Sequence, residues 1–185
     1  MPVSIRLATR ADVASILRLT NWAAEHTTAN FALAPEPLDE WQATFDRTSR
    51  MHAWLVAVDD ESNQVVGFAK TSPHRARAAY DWTAEVTVYL DPAYFGRRLG
   101  SSLYEKLLGI ARAQGYVMLV AGITAGHRAS EALHEKFGFV PIGSFHRQGW
   151  KFGVWHDVGY WELELQPTGP PAPIRPVIEV VADLR

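Results

Sequence analysis

The spacing of hydrophobic and polar residues predicts a mixed α/β fold. Short runs rich in β-branched and aromatic residues indicate strands, and apolar residues three or four positions apart indicate amphipathic helices. The second and third strands flank a polar turn, which indicates a hairpin, so the sheet is expected to be mainly antiparallel at first. The predicted helices are 13–24, 37–50, 101–113 and 129–137, and the predicted strands are 4–8, 54–58, 65–71, 83–90, 117–123, 140–147 and 157–165.

The last twenty residues differ in character from the rest of the chain. Five prolines lie within ten residues (Pro167, Pro170, Pro171, Pro173 and Pro176), which predicts an extended segment. Residues 174–181 are apolar, so the end of this segment is expected to dock on a surface, with a partner subunit as one candidate. The chain therefore divides into a single domain, residues 1–165, and a proline-rich tail, residues 166–185.

Composition excludes several classes of protein. The net charge is −2, so no overall positive field favours nucleic acid or an anionic membrane. The absence of cysteine removes disulfides, thiolate metal sites and a cysteine-bound acyl intermediate. His74, His146 and His156 show no metal-ligand spacing, so no metal site is expected. The amino-terminal residues lack the apolar core of a secretory signal, and no apolar run approaches the ~20 residues of a membrane span. We expect a cytoplasmic protein that binds neither nucleic acid nor membrane.

A glycine-containing turn precedes the third predicted helix and carries Arg97 and Arg98 side by side. A helix amino terminus presents unpaired N–H groups and about half a positive charge. A glycine-containing turn lets the backbone close around phosphate oxygens, and arginine adds bidentate donors. These features favour a di- or triphosphate of a nucleotide-type cofactor. A solvated surface turn is the alternative, and the loop matches neither the Walker nor the dinucleotide-binding motif.

Two ionisable residues are candidate acid–base groups. Glu85 interrupts an apolar strand, where a carboxylate is costly without a partner or a task, and burial is expected to raise its pKa. It is either a catalytic base or half of a structural ion pair, and the pattern does not separate the two. His134 lies in a short helix, where an imidazole serves as an acid or base near neutral pH or makes a local hydrogen bond.

Five segments carry a resemblance to a known family, and one of them is RARAAYDW (75–82). The other four are TTANF (27–31), YDWTAEVTVYLDPAYFGRRLGSSLY (80–104), ALHEKFGF (132–139) and GWKFGVWHDVGYW (149–161). With these segments the sequence resembles the GNAT superfamily of acyl-CoA-dependent N-acetyltransferases, and within it the phosphinothricin acetyltransferases. The similarity runs from about residue 3 to residue 165. The last segment, with Lys151, Trp155, Asp157 and Gly159 at fixed intervals, is fairly specific for that family.

The resemblance implies a GNAT fold with a central, mostly antiparallel, splayed sheet, acetyl-CoA as co-substrate, and a homodimer. It implies direct transfer to a small amine in a ternary complex, with Glu85 as the base and His134 assisting the leaving thiolate. The cofactor-binding positions that it carries over are Val88, Tyr89, Leu90, Gly96, Arg97, Arg98, Leu99, Gly100, Ser101, His127 and Ser130. The acceptor-binding positions are Asn30, Phe31, Arg75, Arg77, Tyr80 and Lys151.

Three positions depart from the family pattern. Phe95 and Arg98 replace the polar lead residue and the first glycine of the phosphate loop, and His127 replaces an asparagine. Arg75, Arg77 and Lys151 favour an anionic acceptor, such as phosphinothricin, methionine sulfoximine or methionine sulfone, over a polyamine. The alternatives are a GNAT-fold protein that binds CoA weakly without catalysis, and a GNAT enzyme for a different amine.

Overall fold

A computed structural model describes residues 2–166 and 169–183. Its central feature is one sheet of seven strands in the spatial order β1-β2-β3-β4-β5-β7-β6. The strands are β1 (Val3–Leu7), β2 (Trp54–Asp59), β3 (Gln64–Pro73), β4 (Thr83–Leu90), β5 (Met118–Thr124), β6 (Val140–Lys151) and β7 (Val154–Glu164). The helices are α1 (Val13–His26), α2 (Leu38–Thr48), α3 (Leu99–Gln114), α4 (Arg128–Lys136) and α5 (Val177–Asp183). The mixed, mainly antiparallel sheet expected from the sequence is confirmed.

One pair of neighbouring strands, β4 and β5, is parallel, and this pair separates along its length. Residues 83–85 of β4 pair with residues 118–120 of β5, and no pairing follows beyond Glu85. On its other side β4 pairs with β3 along residues 84–90. The second half of β4 therefore keeps one hydrogen-bonded edge and opens the other toward β5.

Helices cover both faces of the sheet. Leu103, Tyr104 and Leu107 of α3 are fully buried against one face. Val13 and Ile16 of α1 are fully buried against the other. These spacings of three or four residues place each set on one helix face. Each fully buried leucine or isoleucine contributes about 1.5–3 kcal/mol to folding. The open part of β4 is thus held by packed helices on both faces.

The carboxy-terminal hairpin is longer than the sequence predicts. Residues 148–156 lack a clear period of two, so the sequence places them in a loop. In the structure β6 continues to Lys151 and β7 begins at Val154. The turn between them uses positive φ angles at Phe152 (51°) and Gly153 (77°). A register shift between Phe145 and Gly149 interrupts the pairing, which explains why the residues do not alternate regularly.

The end of the tail docks on its own domain. Residues 177–183 form α5, which packs on α3 with Val177 and Val180 buried. The Gln114 side chain donates to the carbonyls of Met51 and Arg175, both at 2.9 Å. The expected docking of the tail's end thus occurs on the chain's own domain, and a short helix, which the sequence did not indicate, follows the proline-rich segment. Pro167 lies outside the described residues.

Candidate active site

The divergence of β4 from β5 opens a groove of about 600 Å³. Residues 86–90 of β4 and 121–124 of β5 form its two sides. The start of α3, one face of α4 and the end of α1 complete the walls. Val88, Tyr89 and Leu90, which the sequence assigned to the cofactor, lie on the edge of β4 that has no strand partner. An extended ligand can pair with such an edge as an added strand.

The amino terminus of α3 faces one end of the groove. The helix begins at Leu99, so the N–H groups of residues 99–101 have no partner within the helix. Gly96, Leu99, Gly100 and Ser101, which the sequence assigned to the cofactor, line the groove. This end therefore offers backbone donors and the positive end of the helix dipole to an anion.

Adjacent arginines in this loop have different positions. Arg98 lines the groove, and its backbone is left-handed, with φ of 60°. That conformation favours glycine, so the family's glycine at this position has a steric reason. Arg97 lies outside the groove lining, and its guanidinium lies 4.8 Å from the Tyr94 ring centroid. Arg98 therefore lies at the end of the groove that the α3 amino terminus faces, which we call the phosphate end, and Arg97 does not line the groove.

The first turn of α4 forms the wall opposite α3. His127 is the N-cap of α4, and its Nδ1 accepts the Ser130 backbone N–H at 3.3 Å. Both residues, which the resemblance assigned to the cofactor, line the groove. Lys136 donates to the Ser101 hydroxyl at 2.8 Å and so ties α4 to the start of α3. Lys136 thus adds a positive charge near the phosphate end, and the sequence did not indicate this contribution.

His134 lies in the wall of the groove with both ring nitrogens engaged. It is 3% exposed, and its Nδ1 lies 2.7 Å from the Ser130 carbonyl. A carbonyl only accepts, so Nδ1 carries the proton and Nε2 accepts the Tyr104 hydroxyl at 2.7 Å. Burial lowers the pKa of His134, although its bond to Ser130 acts in the opposite direction. The lowered pKa keeps the ring neutral near pH 7. Its one proton is therefore held within α4, and His134 and Tyr104 both line the groove.

Glu85 occupies the point at which β4 and β5 separate. It is the last residue of β4 that pairs with β5. The expectation that it is buried is wrong, because 48% of its side chain is exposed. Its partner is His74, whose Nδ1 lies 3.0 Å from Glu85 Oε1. A carboxylate in contact with water and with one fixed donor is open to an incoming amine.

Three predicted acceptor residues lie in the connection between β3 and β4. Arg75 Nη1 donates to the Tyr80 hydroxyl at 3.3 Å, and its guanidinium lies 5.2 Å from that ring's centroid. Tyr80 in turn contacts the His74 ring edge-on, with centroids 5.8 Å apart. Arg77 is exposed just before a short 3₁₀ turn. Arg75 and Tyr80 are thus linked to Glu85 through His74, whereas Arg77 has no such link among the described residues.

Lys151 joins the carboxy-terminal hairpin to the α1–α2 connection. It is 4% exposed, and its Nζ donates to the carbonyls of Ala24 and Asn30, the latter at 2.5 Å. Phe31 packs against Gly149, where a Cβ would approach the ring to 2.6 Å. Burial lowers the pKa of Lys151. Asn30, Phe31 and Lys151 therefore form a structural junction, and Lys151 is not free to contact an acceptor.

Comparison with known proteins assigns the family. The model of the acetyltransferase (GNAT) family matches residues 16–139. The chain belongs to this family. The phosphinothricin N-acetyltransferase of Streptomyces viridochromogenes is 40% identical over 179 residues, which is 97% of each chain. The L-methionine sulfoximine/L-methionine sulfone acetyltransferase of Pseudomonas aeruginosa is 36% identical over 168 residues, covering 91% of this chain and 98% of that protein.

Solved structures agree with the GNAT fold. An acetyltransferase of Salmonella typhimurium, solved with its cofactor acetyl-CoA, has a TM-score of 0.86 and 32% identity, over 92% of this chain and 98% of that chain. A GNAT phosphinothricin acetyltransferase of Sinorhizobium meliloti, in complex with acetyl-CoA, has a TM-score of 0.85 and 29% identity, over 94% and 97%. Within the described residues, no helix has the length and apolar character to cross a membrane.

Sequence reasoning missed two parts of this GNAT groove. Tyr104 belongs to the apolar face of α3, so its periodicity marked it as core, and its hydroxyl gave no separate signal. The end of α1 and the loop after it also line the groove. The Tyr89 hydroxyl donates to the Ala29 carbonyl at 2.8 Å, and the Thr124 hydroxyl donates to the Thr28 carbonyl at 2.6 Å. These bonds join residues 60 and 96 positions apart, which local patterns do not reveal.

Proposed function

We propose that this chain is an acetyl-CoA-dependent N-acetyltransferase that acetylates the amino group of a small, anionic, amino-acid-like acceptor. The carrying observation is the open edge of β4 beyond Glu85, with the amino terminus of α3 at the far end of the same groove. The two features suit a ligand that has an extended, amide-containing arm and a phosphate group. Acetyl-CoA has both, and it supplies an activated acetyl group.

The chain's residues have distinct tasks in this reaction. Glu85 accepts a proton from the acceptor's ammonium group, which frees the nitrogen lone pair for attack. A backbone N–H near Val88, on the open edge of β4, polarises the acetyl carbonyl. Transfer is direct in a ternary complex, because the sequence has no cysteine to carry an acetyl group. His134 acts as a positioning residue that holds the Tyr104 hydroxyl in the groove wall.

The acceptor carries a negative charge in this proposal. Arg75 lies two contacts from Glu85, through Tyr80 and His74, and Arg77 lies in the same connection. Guanidinium groups suit a carboxylate or phosphinate. The relatives named above are phosphinothricin and methionine sulfoximine/sulfone acetyltransferases. Phosphinothricin, methionine sulfoximine and methionine sulfone are therefore the acceptors that we propose for this chain.

We also propose that the enzyme is a cytoplasmic homodimer. The hairpin of β6 and β7 forms one edge of the sheet. Seven large apolar residues on it are each more than half exposed: Val140, Ile142, Phe145, Trp150, Phe152, Val154 and Trp155. Several large apolar residues exposed on a hairpin at the edge of a sheet are typical of a protein–protein interface. Light scattering is expected to give twice the chain mass, and a monomer that retains full activity would contradict this part.

A titration and an assay test the enzymatic proposal. Calorimetry with acetyl-CoA measures binding, and thiol release with phosphinothricin, methionine sulfone or spermidine measures transfer. We expect thiol release with the two anionic acceptors and little with spermidine. Glu85→Gln is expected to lower kcat by about 10²–10⁴, the range for general bases. Glu61→Gln, in the exposed turn between β2 and β3, is the matched control.

The outcomes separate the alternatives. Binding without thiol release from any tested amine would support a GNAT enzyme for a different amine. The absence of binding would support a protein in which Arg98 obstructs the phosphate end. Equal activity of Glu85→Gln and the wild type would show that Glu85 is not the base.

A further inference from the structure

His74 is the side chain that holds Glu85. Its Nδ1 lies 3.0 Å from Glu85 Oε1, and Glu85 makes no other side-chain hydrogen bond among the described residues. The contact follows from the register, because Glu85 lies opposite Ser72 and His74 directly follows the last residue of β3. The contact between His74 and Glu85 therefore lies at the point where β4 separates from β5.

The direction of this hydrogen bond is fixed by chemistry. An ionised carboxylate has no proton and only accepts, so Nδ1 of His74 carries the hydrogen. The bond occupies Oε1 and leaves Oε2 available. A neutral imidazole that donates from Nδ1 keeps its Nε2 lone pair free for water or another donor.

The His74 ring is itself held in place. Its side chain is 18% exposed, against 48% for Glu85. Tyr80 packs edge-on against the ring, with centroids 5.8 Å apart, and Arg75 lies over the Tyr80 ring. The same three residues line a second cavity of about 470 Å³. Contacts thus run without a break from Arg75 through Tyr80 and His74 to Glu85.

Lys70, a nearby charged residue, does not hold the carboxylate. It lies opposite Thr87, diagonally across the β3–β4 pair from Glu85. Its Nζ lies 4.4 Å from the Trp54 ring centroid and 5.3 Å from that of Trp41. Lys70 makes no ion pair within 4 Å among the described residues, so it adds positive potential near Glu85 without fixing its orientation.

We propose that His74 is the positioning residue of the base: it fixes Oε1 of Glu85 and so aims Oε2 at the acceptor amine. This inference rests on the proposed function. The ammonium proton passes to Oε2, and the freed amine attacks the acetyl carbonyl of acetyl-CoA to form the new C–N bond. The C–S bond then breaks, CoA leaves as the thiol with the second proton of that nitrogen, and the exposed carboxyl returns its own proton to water. We assign Arg75 to the anionic group of the acceptor. Because Arg75 contacts Tyr80 and Tyr80 contacts His74, binding of that group is coupled to the orientation of the base.

A variant series tests this role. His74→Leu removes the donor, and His74→Asn retains an N–H near the position of Nδ1. We expect His74→Leu to lower kcat at least tenfold with the KM for acetyl-CoA unchanged, and His74→Asn to recover much of the loss. In a Glu85→Gln background, His74→Leu is expected to cause no further loss, since the carboxylate that it orients is gone.

A matched control distinguishes this effect from general damage. His146→Leu breaks a second histidine–carboxylate contact, from Nδ1 to Asp157 at 2.9 Å, on the β6–β7 hairpin. We expect wild-type kcat for this variant at the same oligomer size. Equal losses from His74→Leu with and without Glu85 would overturn the positioning role, and so would a fully active His74→Leu.

A spectroscopic measurement separates this inference from the proposed function. Nitrogen-15 spectra of the imidazoles at alkaline pH report which nitrogen carries the proton in the neutral ring. We expect His74 to be protonated at Nδ1 in the wild type and to lose this preference in Glu85→Leu. A wild-type His74 protonated at Nε2 would overturn the inference whatever the activity. An Nδ1–H tautomer in a protein without transferase activity would overturn the function and leave the contact established.

Discussion

The bond between Tyr104 and His134 makes a prediction about stability that can be worked from the structure. Both side chains are buried, with Tyr104 fully inaccessible and His134 3% exposed, and the O–Nε2 distance is 2.7 Å. Tyr104→Phe removes the hydroxyl and leaves Nε2 of a neutral imidazole without a partner. An unsatisfied buried acceptor costs about 1–3 kcal/mol. For a chain of this size, each kcal/mol lowers Tm by about 2–4 °C, so a fall of roughly 2–12 °C is expected.

Thermal unfolding followed by circular dichroism measures this effect, with Tyr160→Phe as the control. Tyr160 makes no side-chain hydrogen bond among the described residues, so its change is expected to stay within about 0.5 kcal/mol. The double variant Tyr104→Phe/His134→Leu replaces both partners by apolar groups. Its loss is expected to be smaller than the sum of the two single losses. Additive losses, or an unchanged Tm in Tyr104→Phe, would refute the assignment of the bond.

Three further predictions concern other parts of the chain. Arg98→Gly removes the backbone strain of a left-handed non-glycine residue and is expected to stabilise the fold by about 1 kcal/mol. A lower Tm would contradict this backbone argument. Calorimetry then shows whether the lost charge weakens acetyl-CoA binding. Bonds from Arg6, and then from Thr9, hold the pKa of Asp12 at about 2, against burial. A lowered carboxyl pKa contributes stability above the unfolded value of about 3.9, and this is lost as pH falls toward 2. Asp12→Asn is therefore expected to remove about 2 kcal/mol at pH 7 and little at pH 2, measured by urea unfolding; an equal loss at both pH values would contradict the linkage. Lys151→Met leaves the carbonyls of Ala24 and Asn30 without this donor and is expected to cost about 1–3 kcal/mol, measured by thermal unfolding; an unchanged Tm would argue against a structural junction.

Local patterns predicted the elements that build the groove. The strand 83–90 matches its observed bounds, and the helix after the glycine turn begins within two residues of its expected start. Both elements can be predicted because apolar spacing and a glycine turn before a helix are local patterns that span only a few residues. The resemblance added what spacing does not contain, namely that β4 and β5 separate, and the pairing confirms this separation.

Long-range contacts explain what the sequence did not predict. Arg97 and Arg98 are the same residue type, and the sequence does not show that Arg98, with its left-handed backbone, lines the groove while Arg97 lies over the Tyr94 ring. Glu85 lies in an apolar strand, which led us to expect burial. Its side chain instead contacts His74, in the connection between β3 and β4, and is about half exposed. Lys151 has the residue type of an anion contact, but its partners are carbonyls more than 120 positions away.

Hydrogen–deuterium exchange with and without acetyl-CoA tests the central claim, that the open edge of β4 and the start of α3 together bind this co-substrate. The account predicts slower exchange for amides of residues 86–90 that face β5, and for those of residues 99–101, on addition of acetyl-CoA. Residues 54–59 of β2, which are buried and paired on both sides, are expected to be unchanged. Unchanged exchange at both the β4 edge and the α3 terminus, at saturating acetyl-CoA, would contradict it.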